Sequence, residues 1–330
     1  MAAERFLVTG ALGCIGAWAV KQLVDDGLPV WSFDLPGDPH RLRLIMPDEA
    51  LARVHFVSGD ITDLAGFERA VVEHGITHIL HLAALQVPFV RADPVQGARV
   101  NVVGSTIVFE TARRHAAQVQ GVAYASSAAV YGPLDMYPAG PLAHDARHYP
   151  TNLYGVFKQA DEGLARIYWQ DYALPSIGLR PYVIYGPGRD QGMTSTPTKA
   201  MLAAAVGRPY HISFGGTVVY QYAADAAAVF IRAARRAAAL PGAPVFNMGG
   251  STANMPEIIA AIDAAAPEMT GKVTFAPAGL SLPEAVDGQP LEDALGSIPW
   301  IPLADGVQRT IAQFRQAVEA GRLNVERAIA

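Results

Sequence analysis

The chain has 330 residues, 51% hydrophobic and 17% charged, and 25 basic against 30 acidic side chains leave a net charge of −5. A chain of this length buries roughly 75% of the surface its unfolded form exposes, so its core needs no disulfide or structural metal, and the single cysteine, Cys14, excludes an internal disulfide. The acidic balance argues against nucleic acid as a partner, and no apolar run approaches the roughly 20 residues of a membrane span.

Phe6-Leu7-Val8 is too short for the core of a signal peptide, so a cytoplasmic setting is the expectation. From there, short β-rich runs alternate with alanine-rich helical stretches. Strands are predicted at 5–9, 30–34, 53–57, 78–82, 121–126 and 176–182, and helices at 14–26, 64–74, 94–117 and 152–172. That alternation predicts an α/β fold, a Rossmann-type doubly wound parallel sheet. After Arg180 the rhythm loosens at Pro181, Gly186-Pro187-Gly188 and Gly215-Gly216, with a helix near 198–206. A helix at 223–238 and a strand at 245–248 read as a return to the sheet. The predicted division is therefore a cofactor domain of 1–180 with 217–248 returning to it, and a smaller, discontinuous C-terminal substrate lobe of 181–216 and 249–330. After Pro302, Val307, Ile311, Phe314 and Val318 mark a final amphipathic helix that packs on the core.

The first strand runs straight into Thr9-Gly10-Ala11-Leu12-Gly13-Cys14-Ile15-Gly16, and a helix follows at once. Gly10, Gly13 and Gly16 suit a tight turn that lets backbone N–H groups approach a pyrophosphate. Asp34 ends the second strand, where an acid binds a ribose 2′-hydroxyl and repels a 2′-phosphate, so NAD is expected over NADP. Arg41 and Arg43 lie close enough in sequence to leave NADP open. Cys14 is read as packing, not as a nucleophile.

Tyr154 and Lys158 stand four residues apart in a helical segment, which puts phenol and ammonium on one face. A nearby cation favours phenolate and so suits a tyrosine to acid–base work. Ser126-Ser127 end a strand at the carboxyl edge, where open α/β sheets bind ligands.

Taken in order, these landmarks resemble an extended short-chain dehydrogenase/reductase of the NAD-dependent epimerase/dehydratase family. The glycine turn and Asp34 are followed by Gly59-Asp60-Ile61, His81-Leu82-Ala83-Ala84, Asn101, Ser126 through Gly132, Tyr154 with Lys158, and Arg180 through Gly188. Pro299-Trp300-Ile301-Pro302 completes the series. The resemblance implies that Asp60 and Ile61 flank the adenine, and that Leu82, Ala83 and Ala84 line the cofactor path. Lys158 would hold the nicotinamide ribose beside Tyr154, with Cys14, Ile15, Asn101 and Pro181 also counted on the cofactor, Asn101 as support near the site. It makes Ser127, Tyr154 and Lys158 the catalytic set, Ser127 holding the substrate oxygen while Tyr154 exchanges its proton. Gln86, Tyr182, Arg189, Thr194 and Ser195 are substrate candidates by position. It further implies a homodimer formed through the helices at 94–117 and 152–172.

Two departures narrow the reaction. Dehydratases of the family carry an Asp-Glu pair where this chain has Ala128 and Ala129. Nucleotide-sugar members carry a phosphate-gripping arginine seven residues before the position of Asp225, where this chain has Val218, although Arg189 or Arg208 could replace that charge. The leading expectation is therefore an NAD-dependent oxidoreductase acting at a secondary alcohol or ketone of a small polyhydroxylated substrate, such as a free sugar or sugar acid. The alternatives are an NAD-dependent sugar or nucleotide-sugar epimerase and a non-catalytic NAD-binding regulator. His144, Asp145 and His148 are read as a polar loop, with no metal expected.

Overall fold

A computed structural model describes residues 3–329. Its strands are β1 (Phe6–Thr9), β2 (Val30–Asp34), β3 (His55–Ser58), β4 (His78–His81), β5 (Gly121–Ala125), β6 (Ile177–Arg180), β7 (Val183–Tyr185), β8 (Tyr210–Ile212), β9 (Thr217–Tyr222), β10 (Val245–Asn247), β11 (Ser251–Asn254) and β12 (Val273–Phe275). Seven of them form one parallel sheet in the order β10-β6-β5-β4-β1-β2-β3. Strand order reverses between β1 and β4, and the crevice at their carboxyl ends is where such sheets receive ligands.

β1 and β4 are buried at every position, as strands covered by helices on both faces must be. Helices Cys14–Asp25 and Ala223–Arg236 pack together on one face. Leu64–Glu73, Gly104–Arg114 and Leu153–Tyr172 cover the other, so the sheet separates two apolar layers.

The strand expected over 176–182 divides. Pro181 has no N–H for the ladder, and beyond it β7 leaves the large sheet to join β9 and β11. Of the segment 217–248, helix Ala223–Arg236 packs on β5 and β10 pairs with β6, while β9 builds the small sheet. β8 and β12 form a separate parallel pair. The helix expected over 94–117 widens to a π-turn at Arg99–Val103 and resumes at Gly104–Arg114. In the last long helix, Leu303–Glu319, the buried stripe runs Val307, Ile311, Phe314, Ala317, leaving Val318 half-buried. Successive steps of four, three and three residues follow the true 3.6-residue period.

Candidate active site

A cleft of about 910 Å³ opens at the carboxyl ends of the central strands. One wall is backbone. β1 ends at Thr9 and the chain turns through Gly10 at φ +66°; a Cβ there would lie 2.6 Å from the Ala83 backbone nitrogen, so glycine alone lets the turn press on the end of β4. Helix Cys14–Asp25 starts immediately after the turn and brings its unpaired N–H groups and positive dipole end to the cleft. Gly10, Gly13, Cys14, Ile15, Gly16, Asp34, Asp60, Ile61, Leu82, Ala83, Ala84 and Pro181 all line the cleft.

The Asp34 carboxylate accepts the Leu12 and Leu35 N–H groups, each at 2.9 Å. Burial raises this carboxyl above its ordinary value, and those two N–H groups pull it back. Arg41 sits near, but its guanidinium donates to the Leu12 carbonyl at 2.7 Å and to Asp190 at 2.6 and 2.9 Å. Arg43 is paired with Asp38. Both arginines are thus committed elsewhere, and the glycine turn with Asp34 suits an unphosphorylated dinucleotide ribose. The groove fits NAD.

A buried chain of hydrogen bonds ties this wall together. Thr9 Oγ1 accepts from the Leu82 and Ala83 N–H groups and lies 2.8 Å from His81 Nδ1, while His81 Nε2 lies 3.0 Å from Ser105 Oγ. Ser105 in turn donates to the Asn101 carbonyl. Burial holds His81 down at about 3, with Lys158 adding to the effect, so its ring is neutral and serves as a fixed two-ended link. Asn101 does not reach the cofactor groove. It is fully buried, and its amide pairs in both directions with the Leu85 backbone at 2.7 and 2.9 Å, so the π-turn braces the end of β4.

The catalytic candidates come together in the same cleft. Ser127 caps the turn Ala128–Val130: its Oγ accepts the Ala129 N–H at 3.1 Å and keeps its own O–H to donate. Asn152 caps helix Leu153–Tyr172 by accepting from the Gly155 N–H at 3.0 Å. A Cβ at Gly155 would lie 2.1 Å from the Ala129 carbonyl oxygen, so glycine lets the first helical turn press against the serine turn and sets Tyr154 in the cleft with Ser127. One turn on, Lys158 Nζ lies 5.9 Å from the Tyr154 ring centroid and donates to Asp161 at 3.1 Å. Burial pulls the ammonium down, but Asp161 and Tyr154 outweigh it and hold Lys158 above its ordinary value, as a cation.

Behind the serine lies a second buried network. Ser126 Oγ donates to Glu162 at 2.5 Å, and Arg180 clamps Glu162 with two bonds of 2.8 and 2.7 Å. Arg180 also donates to Tyr131 Oη at 2.6 Å and the His144 carbonyl at 2.5 Å, and its Nη2 stands 3.1 Å from His148 Nε2. His144 and His148 therefore brace an arginine, and Asp145 is exposed. Among the described residues, no group of three or more His, Cys, Asp or Glu side chains is placed to hold a metal ion. Sequence reading missed Asp161 and Glu162. The signal was spacing, since 154, 158, 161 and 162 fall on one helical face.

On the substrate side, Gln86, Tyr182, Arg189 and Thr194 line the cleft as expected by position. Ser195 does not: its hydroxyl turns back to the Gly192 carbonyl at 2.8 Å and closes the short turn there. Arg189 is half-buried, donates to Thr194 Oγ1 at 2.9 Å, and its buried Nε finds no partner. Burial lowers its guanidinium from the ordinary value, and the adjacent Asp190 is engaged by His40 and Arg41. The wall is completed by Gly279-Leu280-Ser281-Leu282, which arrives from a distant part of the chain and is moored where Tyr182 Oη donates to the Pro283 carbonyl. Val218 is packed in the core on β9.

The model of the NAD dependent epimerase/dehydratase family matches residues 6–249. The chain belongs to that family. It is 32% identical to the UDP-glucose 4-epimerase of Mycolicibacterium smegmatis, over 94% of this chain and 98% of that protein. Among solved structures, the UDP-glucose 4-epimerase of Thermus thermophilus in complex with NAD superposes with a TM-score of 0.78 at 27% identity, covering 95% of this chain and all of the other. A partial-consensus L-threonine 3-dehydrogenase shares the fold, with a TM-score of 0.82 at 23% identity over 95% of this chain and all of that one. The protein is thus an enzyme of the extended short-chain dehydrogenase/reductase type, built for NAD-dependent chemistry.

Proposed function

We propose that this enzyme is an NAD-dependent sugar epimerase that oxidises one secondary alcohol and reduces the ketone again from its other face. The observation that carries this reading is the single cleft holding Ser127, Tyr154 and Lys158 beside the glycine turn, with Ala128 and Ala129 where elimination of water would need carboxyl groups. Full-length likeness to a UDP-glucose 4-epimerase supports it over the simple dehydrogenase expected first. Bound in the groove, NAD would supply the hydride acceptor and donor. Ser127 donates its O–H to the substrate oxygen and fixes the alcohol. Tyr154, beside the Lys158 ammonium, takes the hydroxyl proton and returns it after the ring has turned over.

The dehydrogenase reading keeps one observation in its favour. Val218 in the core leaves β9 without a phosphate-gripping arginine, which suits a free sugar or sugar acid over a nucleotide sugar. Arg189 is a cation on the expected substrate side of the cleft that a phosphate or carboxylate would meet instead. Incubation of the NAD-loaded enzyme with UDP-sugars, free sugars and sugar acids separates these readings. A new epimer without net NADH supports the epimerase; accumulating NADH supports the dehydrogenase and overturns the first proposal.

A homodimer belongs to the same proposal. Val95 and Val103 on one side, and Leu153, Val156 and Ile167 on helix Leu153–Tyr172, expose apolar side chains that a second copy would cover. A monomeric mass in solution would refute it.

A further inference from the structure

Lys158 and Asp161 form an ion pair from which water is almost wholly excluded, with side-chain exposures of 3% and 1%. An ammonium has three donors. One is spent on Asp161, so two remain for a cofactor ribose. The second oxygen of Asp161, Oδ1, is buried beside Ser105, whose proton goes to the Asn101 carbonyl, and so it is left without a committed donor. A carboxylate kept there without full satisfaction is costly to fold around and contributes little to the core, so its service is to the lysine.

The surroundings leave Asp161 alone in that service. On its own helix it faces Lys158 and Glu162, from helix Gly104–Arg114 Ser105, and from β5 Tyr124, while Tyr154 and, from β4, His81 face Lys158. His81 is neutral, held at about 3 by burial and Lys158. Burial, with Glu162 and Asp161 adding to it, keeps the Tyr124 phenol protonated far above its ordinary range. Glu162 is taken by the two bonds from Arg180. Asp161 is therefore the carboxylate that answers the Lys158 charge. Burial raises it to about 6, against the pull of Lys158, so it is ionised at neutral pH and above.

We propose that Asp161 is a positioning residue that acts through Lys158: it fixes the buried ammonium by one of its three donors and keeps it charged, and so sets the pH at which Tyr154 gives up its proton. The inference rests on the assignment of Tyr154 and Lys158 to acid–base work. Without Asp161 burial discharges the ammonium, its pull on the phenol is lost, and the phenolate forms at higher pH.

The test needs no substrate. Tyrosinate absorbance of the NAD-bound protein is titrated, and the Tyr154→Phe titration is subtracted to isolate Tyr154. Asp161→Asn should raise the midpoint by about two pH units, the size expected for loss of the ammonium charge 5.9 Å from the ring with an effective dielectric of about 20. Asp161→Glu, which keeps the charge, should restore it. An unmoved midpoint in Asp161→Asn, or an equal shift in Asp161→Glu, overturns the proposal. Should Asp161→Asn fail to fold, thermal unfolding of Lys158→Met against Lys158→Met/Asp161→Leu decides. Removing both charges should recover stability lost with the lysine alone, and equal melting temperatures would refute the pairing. A wrong acid–base assignment gives a different result, namely turnover that survives Tyr154→Phe.

Discussion

The two walls of the cleft are built by opposite means. The cofactor wall is backbone and short apolar side chains from Gly10 to Ala84, held by the Gly10 turn, the Cys14–Asp25 helix start and the Thr9–His81–Ser105 links. The opposite wall, the proposed substrate wall, takes Gln86, Tyr182, Arg189, Thr194 and residues 279–282, side chains brought from separate parts of the chain. A wall of backbone recognises what all dinucleotides share and tolerates little change. A wall of side chains can be altered one residue at a time, which is how one fold serves substrates as different as sugars and amino acids.

The sharpest way to break this comparison is Tyr154→Phe, because Tyr154 stands where the walls meet. If its phenol exchanges a proton and contributes little to holding the dinucleotide, turnover should fall by about 10²–10⁴-fold while NAD titrated by calorimetry binds as before. More than about a tenth of the wild-type rate would contradict general acid–base catalysis.

A crossed pair of variants comes next in size. Asp34→Asn removes the charge on the cofactor wall and should weaken NAD by roughly tenfold or more, the worth of a hydrogen bond to an ionised group, with substrate KM unchanged at saturating NAD. Arg189→Met should do the reverse, raising substrate KM by a similar factor and leaving NAD affinity intact. Binding titrations and steady-state kinetics read both arms. Loss of both ligands in either variant would show that the walls are coupled, as the Arg41–Asp190 bridge between Leu12 and the residue after Arg189 allows.

How far the sequence revealed the site follows the same division. The glycine turn, Asp34 and the Tyr154–Lys158 spacing are local patterns, and the structure places each in the cleft. Arg180 braces Ser126 through Glu162, a partner 18 residues away on another element, and no periodicity announces such a pairing. The segment 279–282 reaches the cleft only because Gly279 bridges to Gly215 and Pro283 accepts from Tyr182. Asn101 and Ser195 were misplaced for one reason: a polar side chain near a site in sequence can satisfy a backbone group as readily as a ligand.

The smallest effect is expected at Cys14, although it sits in the glycine turn itself. A helix N-terminus favours thiolate, and Arg189 and Arg41 act in the same direction. Loss of hydration wins: burial raises the thiol to about 11. Below that pH the side chain is a protonated, weakly polar filler against the start of the helix. Cys14→Ala should therefore keep turnover within about twofold of wild type, because only one sulfur's packing is lost. Alkylation of the wild-type protein by iodoacetamide should be slow at neutral pH and accelerate only as pH approaches 11. Rapid modification near neutrality, blocked by NAD, would show that the backbone wall holds a reactive group after all, and would turn Cys14 from filler into a redox-sensitive point beside the cofactor.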